Sequence, residues 1–540
     1  MMVHSPGSTA RQRDARSAFQ QRLLRGQTAG LALRLADLGQ QIALRNYGLF
    51  LRSAEAGLGL LDDLSPHAAW RAAEQARLRV PAYRMLLERT GWSDRPGLPP
   101  AERLRRLPVT DKTTYVKAFS TEDRCLDGRI PLVGTQIDES SGASGTPFNW
   151  VRSAAELRDV HRLMHQFTRY YCGTGVITIN GFSMGAWATG VNVGEAMRFN
   201  GMVKSTGPDI DKILYTLEFF GPRYRYVLTG YPPFLKHLVD EGRTRGFDWR
   251  AYRITGMVGG EGMTEGLRTY LERSFDAVYS GYGASDLDIG IAAEFPITVW
   301  VRKRTAADRR LHAALFGDDP RLPMLFQYNP LEHYIEINEQ GELIFTINRL
   351  GVLSPRIRYN IHDSGGVIAF DRVLAVLREF GLDPVAACRR PGQPVFRLPF
   401  LYLFGRSDST LSYMGANIYP EDIEEALFGD ADDERQLGAY CLELVDVGAG
   451  EQRPCVHVEV HEAAAVDQGE LAERLRRRIL DRLQQSNRDF RAAIAEDASA
   501  GELLVRLHSA GQGPFVGNRT RIKRRYIVPF TSPGPVVEGR

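Results

Sequence analysis

Residues 225–261 read RYVLTGYPPFLKHLVDEGRTRGFDWRAYRITGMVGGE, which contains a strand, a helix and a second strand in that order. The β-branched runs Tyr226–Thr229 and Ile254–Val258 predict the strands, and Tyr231–Glu241 predicts the helix between them. Strands joined by a helix of this length lie parallel in one sheet. The stretch therefore predicts an α/β fold with helices on the faces of a largely parallel sheet.

The same alternation continues on both sides of this stretch. Val176–Ile179 predicts another strand, and Asp211–Phe219 and Glu265–Ser274 predict further helices. The first 130 residues read as mostly helical, and Gly341–Ile347 alternates like a partly exposed strand. We therefore expect a large N-terminal domain over residues 1–404, with a helical region over residues 1–105 and mainly parallel sheets flanked by helices.

A second, smaller domain is predicted for residues 405–540. Its pattern is a helix, two β-like runs, an arginine-rich helix and a final β-like run, namely Asn417–Leu427, Gly438–Val445, Pro454–Val460, Glu470–Gln485 and Leu503–Leu507. This order indicates a small α+β domain.

Composition excludes several classes of protein. Among 540 residues, 43% are hydrophobic and 25% are charged, which are ordinary globular values, and the net charge is only +3. We expect no nucleic-acid partner and no membrane span. The five cysteines are scattered without a Cys-x-x-Cys pair, so we expect a reducing, cytoplasmic location. The sequence is compatible with a homodimer but does not specify one.

The clearest chemical signal is the run Ser140-Ser141-Gly142-Ala143-Ser144-Gly145-Thr146-Pro147. A loop of glycines and hydroxyl residues can direct backbone N–H and side-chain O–H donors at an anion. It lacks the Gly-Lys-Ser/Thr ending of a P-loop, which disfavours kinases and ATPases of that class. Alone, such a loop is also typical of a linker.

Further segments follow the loop in a fixed order. They are Val258-Gly259-Gly260-Glu261, Tyr279-Ser280-Gly281-Tyr282-Gly283-Ala284-Ser285-Asp286, Arg358-Tyr359-Asn360-Ile361-His362-Asp363, Gly405-Arg406-Ser407-Asp408 and Gly415-Ala416-Asn417-Ile418-Tyr419-Pro420. Together they resemble the adenylate-forming superfamily of acyl-CoA synthetases, adenylation domains and luciferases. Leu107-Pro108-Val109-Thr110-Asp111-Lys112 and Pro355-Arg356-Ile357-Arg358-Tyr359 are most similar to phenylacetate-CoA ligases.

The resemblance implies ATP-dependent activation of a carboxylic acid, with Mg²⁺ and with coenzyme A as co-substrate. It assigns the β- and γ-phosphates to the loop residues Ser140, Ser141, Gly142, Ser144, Gly145 and Thr146. It also implies that Ser285 donates to a phosphate oxygen, that Asp286 binds Mg²⁺ and that Tyr282 stacks on adenine. The backbone near Gly260, Glu261, Gly281 and Gly283 would face the nucleotide, and Asp363 would accept the ribose hydroxyls, assisted by Arg406.

The resemblance also implies that the small domain is a mobile lid. Lys523 would contact the acid and the α-phosphate, Asp408 would be the hinge, and Gly415 would lie close to the pantetheine arm of coenzyme A. Lys523 is the only lysine after Lys303. On charge pattern alone, its segment is equally typical of a solvated basic strand.

Several positions depart from the pattern. Thr146 stands where lysine is common, Asp286 where glutamate is commoner, and His362 where glycine is usual. About forty residues separate Asp363 from Arg406, and Asp371–Phe380 predicts an extra helix among them.

The aromatic segment Phe182 to Trp187 favours an aromatic acid as substrate, with transfer to coenzyme A. Two alternatives stay open. One is transfer to an amine, a hydroxyl or a carrier-protein thiol, and the other is a catalytically inactive nucleotide-binding scaffold.

Overall fold

The computed structural model describes residues 27–56, 60–140, 148–185, 188–319, 321–390, 393–406, 411–418, 420–427, 437–448, 451–460, 468–509 and 511–515. Within these residues, no helix combines the length and the apolar character needed to cross a membrane. All five cysteines are free and buried.

Helices form the N-terminal region, as expected. They are α1 (Gln27–Arg45), α2 (Tyr47–Ala56), α3 (Leu60–Arg79), α4 (Pro81–Arg89) and α5 (Pro100–Arg105). Ser65-Pro66 predicts a helix start, but α3 begins six residues before Pro66, at Leu60, and contains Pro66. The Ser65 hydroxyl instead donates to the carbonyl of Pro330, which ties α3 to the main sheet.

Eleven strands of the described residues form one sheet, in the order β10-β11-β12-β13-β9-β8-β7-β6-β5-β3-β4. Its parallel half comprises β3 (Val176–Asn180), β4 (Gly201–Ser205), β5 (Arg225–Gly230), β6 (Arg253–Gly259) and β7 (Ala277–Tyr282). Every residue of β3 is buried, as helices on both faces require.

The antiparallel half of the sheet continues from β7. It comprises β8 (Ala292–Ala293), β9 (Met324–Tyr328), β10 (His333–Ile337), β11 (Glu342–Ile347), β12 (Tyr359–Ile368) and β13 (Phe400–Arg406). A separate hairpin, β1 (Thr135–Ser140) and β2 (Phe148–Ser153), pairs antiparallel and flanks the predicted phosphate loop.

The helices of this large domain cover the sheet. They are α6 (Ala154–Cys172), α7 (Ala188–Met197), α8 (Ile210–Phe220), α9 (Pro232–Thr244), α10 (Glu265–Leu271), α11 (Pro296–Ala307), α12 (Arg309–Phe316), α13 (Phe370–Glu379) and α14 (Pro384–Cys388). The predicted extra helix between Asp363 and Arg406 is α13, which buries Phe370, Val373 and Leu377 against the domain. The insertion therefore lies on the outside of the sheet.

The C-terminal part forms a small α+β unit. Its elements are the hairpin β14 (Leu411–Tyr413) and β15 (Ala416–Ile418), the sheet β16 (Leu437–Gly448), β17 (Glu451–Val460) and β18 (Leu504–Ser509), and the helices α15 (Pro420–Leu427), α16 (Gln468–Ser486) and α17 (Arg488–Glu496). The buried residues of α16 are spaced four apart, namely Leu471, Leu475, Ile479 and Leu483. The predicted fold class is confirmed.

Candidate active site

The carboxyl ends of β6 and β7 lie side by side. Gly259 pairs with Gly281, so Gly260 and Glu261 emerge next to Tyr282 and Gly283. The chain then turns tightly, with the Ala284 N–H donating to the carbonyl of Asp288 at 2.8 Å. This turn holds Ser285 and Asp286 above the sheet edge.

The predicted ribose ligand reaches the same place from the antiparallel half. The Tyr282 hydroxyl donates to Oδ2 of Asp363 at 2.5 Å, across 81 residues of sequence. Asp363 on β12 is also directly opposite Arg406 on β13. Tyr282, Asp363 and Arg406, predicted as separate nucleotide contacts, therefore form one cluster.

Two buried arginines hold the turn that carries Ser285 and Asp286. Arg152 Nη2 donates to the carbonyl oxygen of Ser285 at 2.6 Å, and Arg356 Nε donates to that of Asp286 at 2.7 Å. The Asp286 carboxylate accepts a 3.3 Å hydrogen bond from the hydroxyl of Tyr359. The arginines bind the main chain, so they position the turn without binding the side chains of Ser285 and Asp286.

Lys112 approaches this turn because its segment joins the edge of β12. The Thr110 N–H donates to the carbonyl of Arg358 at 2.9 Å, and Asn360 N–H donates back to Thr110 at 2.7 Å. Asp111 caps the following helical turn by accepting from Thr114 N at 2.6 Å. Burial lowers the pKa of Lys112, and the nearby Asp286 opposes that shift.

The backbone at His362 has a conformation that favours glycine. Its φ is +65°, in the left-handed region, and β12 is irregular just beyond it, between Ser364 and Gly365. The Asn360 side chain accepts from the His362 N–H at 2.7 Å, and Nδ1 of His362 lies 3.2 Å from Glu342. With histidine at this position, Asp363 still lies beside Tyr282.

The small domain contacts the large one at the end of β6. The Met414 N–H donates to Oε2 of Glu261 at 3.1 Å, whereas Oε1 of Glu261 is buried without a partner in the described residues. Burial raises the pKa of Glu261 to about 8. The Ser183 hydroxyl also donates to Glu496 of α17.

Tyr231 fills the space between the two domains. A Cβ atom on Gly260 would lie 2.7 Å from its ring, and one on Gly415 would lie 2.5 Å from it, on the small-domain side. Both glycines also have positive φ, +85° and +79°. The neighbour of Gly415 in the structure is the Tyr231 ring, and its approach to pantetheine stays a prediction.

Beneath the turn lies a partly open cavity of about 140 Å³. Its lining includes Phe182, Met257, Tyr279 and Tyr282, and it reaches the backbone of Gly260 and the turn residue Ser285. The cavity therefore opens beside the cluster that would hold a nucleotide. Phe182 had been predicted as part of an acid pocket.

The structure brings together eight of the predicted site residues, namely Gly260, Glu261, Gly281, Tyr282, Gly283, Ser285, Asp286 and Asp363, with Arg406 opposite Asp363 and Gly415 facing them from the small domain. Strand β1 ends at Ser140. Ser141, Gly142, Ser144, Gly145, Thr146, Asp408 and Lys523 lie outside the described residues.

Sequence reasoning assigned no role to Lys112, Arg152, Tyr231 or Arg356. Lys112 had a signal, because it ends the segment Leu107–Lys112 that resembles phenylacetate-CoA ligases. Arg356 lies in the second such segment, Pro355–Tyr359. Arg152 has no local signal, since its partner in the turn is a backbone carbonyl 133 residues away.

Asp286 suits a divalent cation bound together with phosphates. Mg²⁺ in such sites takes one or two carboxylates and fills its remaining positions with phosphate oxygens and water. Among the described residues, no cluster of three or more His, Cys, Asp or Glu side chains could hold a metal by itself. The single carboxylate of Asp286 therefore fits a metal only if phosphate groups supply further ligands.

No protein-family model matches the chain, and no curated protein sequence matches it either. Solved structures do. A 2-hydroxyisobutyryl-CoA ligase with 2-HIB-AMP and CoA in the thioesterification state has a TM-score of 0.59 at 16% identity, over 88% of this chain and 91% of that one. The chain has the fold of the adenylate-forming superfamily.

Two other structures of that ligase share this adenylate-forming fold. An open conformation with 2-HIB-AMP and CoA gives a TM-score of 0.51 at 16% identity, over 88% of this chain and 93% of that one. The postadenylation state with 2-HIB-AMP gives 0.50 at 17% identity, over 89% and 91%. The likeness covers nearly the full length of both chains and establishes the fold.

Proposed function

We propose that this chain joins a carboxylic acid to ATP, releases pyrophosphate, and transfers the acyl group to coenzyme A. The main support is the cluster at the carboxyl ends of β6 and β7, where Tyr282 binds Asp363 across the sheet. Ligands of open α/β sheets bind at the carboxyl ends of the strands. The cluster lies there, beside a partly open cavity that can take the acid.

The nucleotide would lie across this cluster. Asp363 accepts the ribose hydroxyls with Arg406 beside it, and the ring of Tyr282 stacks on adenine. The loop from Ser140 to Thr146 holds the β- and γ-phosphates, and the Ser285 hydroxyl donates to a phosphate oxygen. Asp286 would hold Mg²⁺, which would supply positive charge for the phosphates.

In the first half-reaction, an oxygen of the acid attacks the α-phosphorus, the bond to the β-phosphate breaks, and pyrophosphate leaves. Both reactants are anions, so charge neutralisation and alignment determine the rate. Lys112 provides a cation from the large domain, at the Asp286 end of the site. Lys523 provides a second cation from the small domain.

In the second half-reaction, a thiolate attacks the acyl carbon, the acyl–phosphate bond breaks, and AMP leaves. The small domain, from residue 405, rotates about Asp408 between the two steps. The contacts of Met414 with Glu261 and of Gly415 with Tyr231 belong to the arrangement that forms the thioester. Gly260 and Gly415 leave room at this interface for the ring of Tyr231.

The proposed acid is aromatic. The protein itself is proposed to work in a reducing, cytoplasmic compartment. The cavity wall contains Phe167, Tyr171 and Tyr279, and these rings suit a flat apolar acyl group. Five buried, unpaired cysteines suit a reducing compartment.

The test is acid-dependent exchange of labelled pyrophosphate into ATP, screened over aryl and fatty acids, followed by thioester formation with coenzyme A. Exchange with an aryl acid and thioester formation support the proposal. Exchange without a thioester shows another acceptor. ATP binding without exchange for every acid contradicts catalysis and favours a scaffold.

A further inference from the structure

Strand β4 (Gly201–Ser205) is the last strand at one edge of the eleven-stranded sheet. It pairs with β3, and among the described residues no strand pairs with its other side. A free edge offers backbone N–H and C=O groups to another strand, and a lysine on the edge normally discourages such pairing. Here the ammonium group of Lys204 donates to Oγ1 of Thr216 on α8, at 2.8 Å. The edge is therefore open to a further strand.

The hydrogen bonds of β4 with β3 show which of its backbone groups face outward. The Asn200 carbonyl accepts from the Val176 N–H, and the Thr206 N–H donates to the Asn180 carbonyl, so the even-numbered residues of this stretch face β3. Successive residues of a strand direct their backbone groups to opposite sides. The outward donors and acceptors therefore belong to the three remaining residues of β4, namely Gly201, Val203 and Ser205.

Exposed apolar side chains lie beside this edge. Met202 is 50% exposed, and Tyr215 and Phe219 on α8 are 60% and 67% exposed. The rings of Tyr215 and Phe219 are 5.9 Å apart, and Nζ of Lys204 lies 5.6 Å from the Tyr215 ring. These two rings thus flank the face of β4 that carries Met202 and Lys204. Contiguous apolar surface of this kind marks an interaction site.

The pattern of the edge matches a second copy of itself. The three outward residues are symmetric about Val203, so two antiparallel copies would pair Val203 with Val203 and Gly201 with Ser205, and each outward donor would meet an acceptor. The same register places Met202 opposite Lys204 of the second copy, so like charges do not face each other directly. The two-fold axis is perpendicular to the sheet, so both α8 helices and their exposed rings lie on one face of the contact.

We propose that two copies of this chain associate through antiparallel β4 strands, centred on Val203, and extend the sheet across a two-fold axis. The contact uses the same edge of both copies and leaves neither β4 edge free, so association stops at the dimer. Strand β6, which carries part of the candidate active site, is three strands away from β4. The inference therefore does not depend on the proposed function.

The experiment measures the dimer dissociation constant by analytical ultracentrifugation of the full chain over a dilution series. Met202→Lys would place two pairs of like charges across the contact, whereas Met202→Glu would place opposite charges there. Val203→Pro removes an outward N–H and no hydrogen bond to β3. The matched control is Ile337→Lys, because Ile337 is 49% exposed on β10, at the opposite edge of the sheet. Circular dichroism and thermal unfolding verify that each variant folds.

We expect the wild type to be a dimer at micromolar concentrations. Met202→Lys should raise the dissociation constant at least tenfold, because each dimer contains two of the like-charged pairs, and Met202→Glu should associate at least tenfold more tightly than Met202→Lys. Val203→Pro should also weaken the dimer, and Ile337→Lys should stay within about twofold of the wild type.

A monomeric wild type overturns the proposal. So does a dimer that no β4 variant weakens, and so do equal dissociation constants for Met202→Lys and Met202→Glu. If Val203→Pro does not fold, the two Met202 variants decide. Pyrophosphate exchange is a separate readout, and its absence from a dimeric wild type would refute the proposed function alone.

Discussion

Gly415 of the small domain lies so close to Tyr231 of the large domain that a Cβ atom on Gly415 would be 2.5 Å from Cζ of the ring. The contact is possible only because the position has no side chain. A Cβ atom on Gly260 of the large domain would likewise lie 2.7 Å from this ring. The packing around Tyr231 therefore depends on two positions without side chains, one in each domain.

Gly415→Ala should disrupt the second half-reaction more than the first. The added methyl group would clash with Tyr231 in the present arrangement, and φ of +79° adds strain. We expect thioester formation to fall at least tenfold, measured by single-turnover transfer from a supplied acyl-adenylate, with pyrophosphate exchange changed less than threefold. Gly262→Ala is the control, since its Cβ would meet nothing within 4 Å. Equal losses in both half-reactions would contradict the role given to this contact.

Tyr282→Phe should raise the KM for ATP by about tenfold, because it removes the 2.5 Å hydrogen bond that orients the Asp363 carboxylate. The ring remains, so kcat should change less than KM. Initial rates of pyrophosphate exchange at varied ATP measure both quantities, and exposed Tyr215→Phe provides the comparison. An unchanged KM for ATP would contradict the proposed role of Asp363 in binding the nucleotide.

Lys112→Met should slow adenylation by about 10²-fold, the usual effect of removing a positioned charge from a developing anion. Exposed Lys117→Met, one turn away, should have little effect on the rate. Pyrophosphate exchange at saturating acid and ATP measures the difference. Equal losses of rate in the two variants would mean that Lys112 contributes only to the net charge and not a cation at a specific position.

Glu261→Gln should flatten the dependence of stability on pH. The pKa of Glu261 is raised to about 8 by burial, from 4.5. Between these values the folded state binds more protons than the unfolded state, so this group lowers the stability of the wild type as pH rises from about 4.5 to 8. We expect the variant to gain at least ~1 kcal/mol on the wild type between pH 5 and pH 9 in urea titrations. Exposed Glu339→Gln should show no such gain.

His362→Gly should be more stable than His362→Ala by about 1 kcal/mol. Both variants lose the contact of the imidazole with Glu342, but only glycine relieves the positive φ of +65°. Thermal unfolding of the two variants under identical conditions tests this. The reverse order would show that the left-handed backbone at this position carries no strain.

The parallel half of the fold could be predicted because its signals are local. Asp211–Phe219 predicts a helix that the structure extends by one residue at each end, to Ile210–Phe220. The antiparallel half was largely missed, apart from β11. Short buried runs such as Met324–Tyr328 have no period that separates a strand from a buried helix segment.

Most residues of the candidate site could be predicted from motifs that occur in a fixed order. The residues that hold these motifs in place could not be predicted in this way. Val109–Ala118 predicts a helix, yet Lys112–Val116 forms one turn, since Thr110 pairs with β12. Tertiary pairing of that kind overrides local propensity. The roles of the residues, the boundary at 404 and the homodimer stay predictions.

Because Arg152 and Arg356 hold the turn through its main chain, the turn should tolerate substitutions of its side chains. Carbonyl oxygens are common to all amino acids, so the anchors remain when Ser285 or Asp286 is replaced. Random libraries at these two positions should therefore yield soluble, folded clones at high frequency. Few clones of such libraries would be lost to misfolding, so most of them could be screened for altered activity. The turn is therefore a convenient starting point for directed evolution.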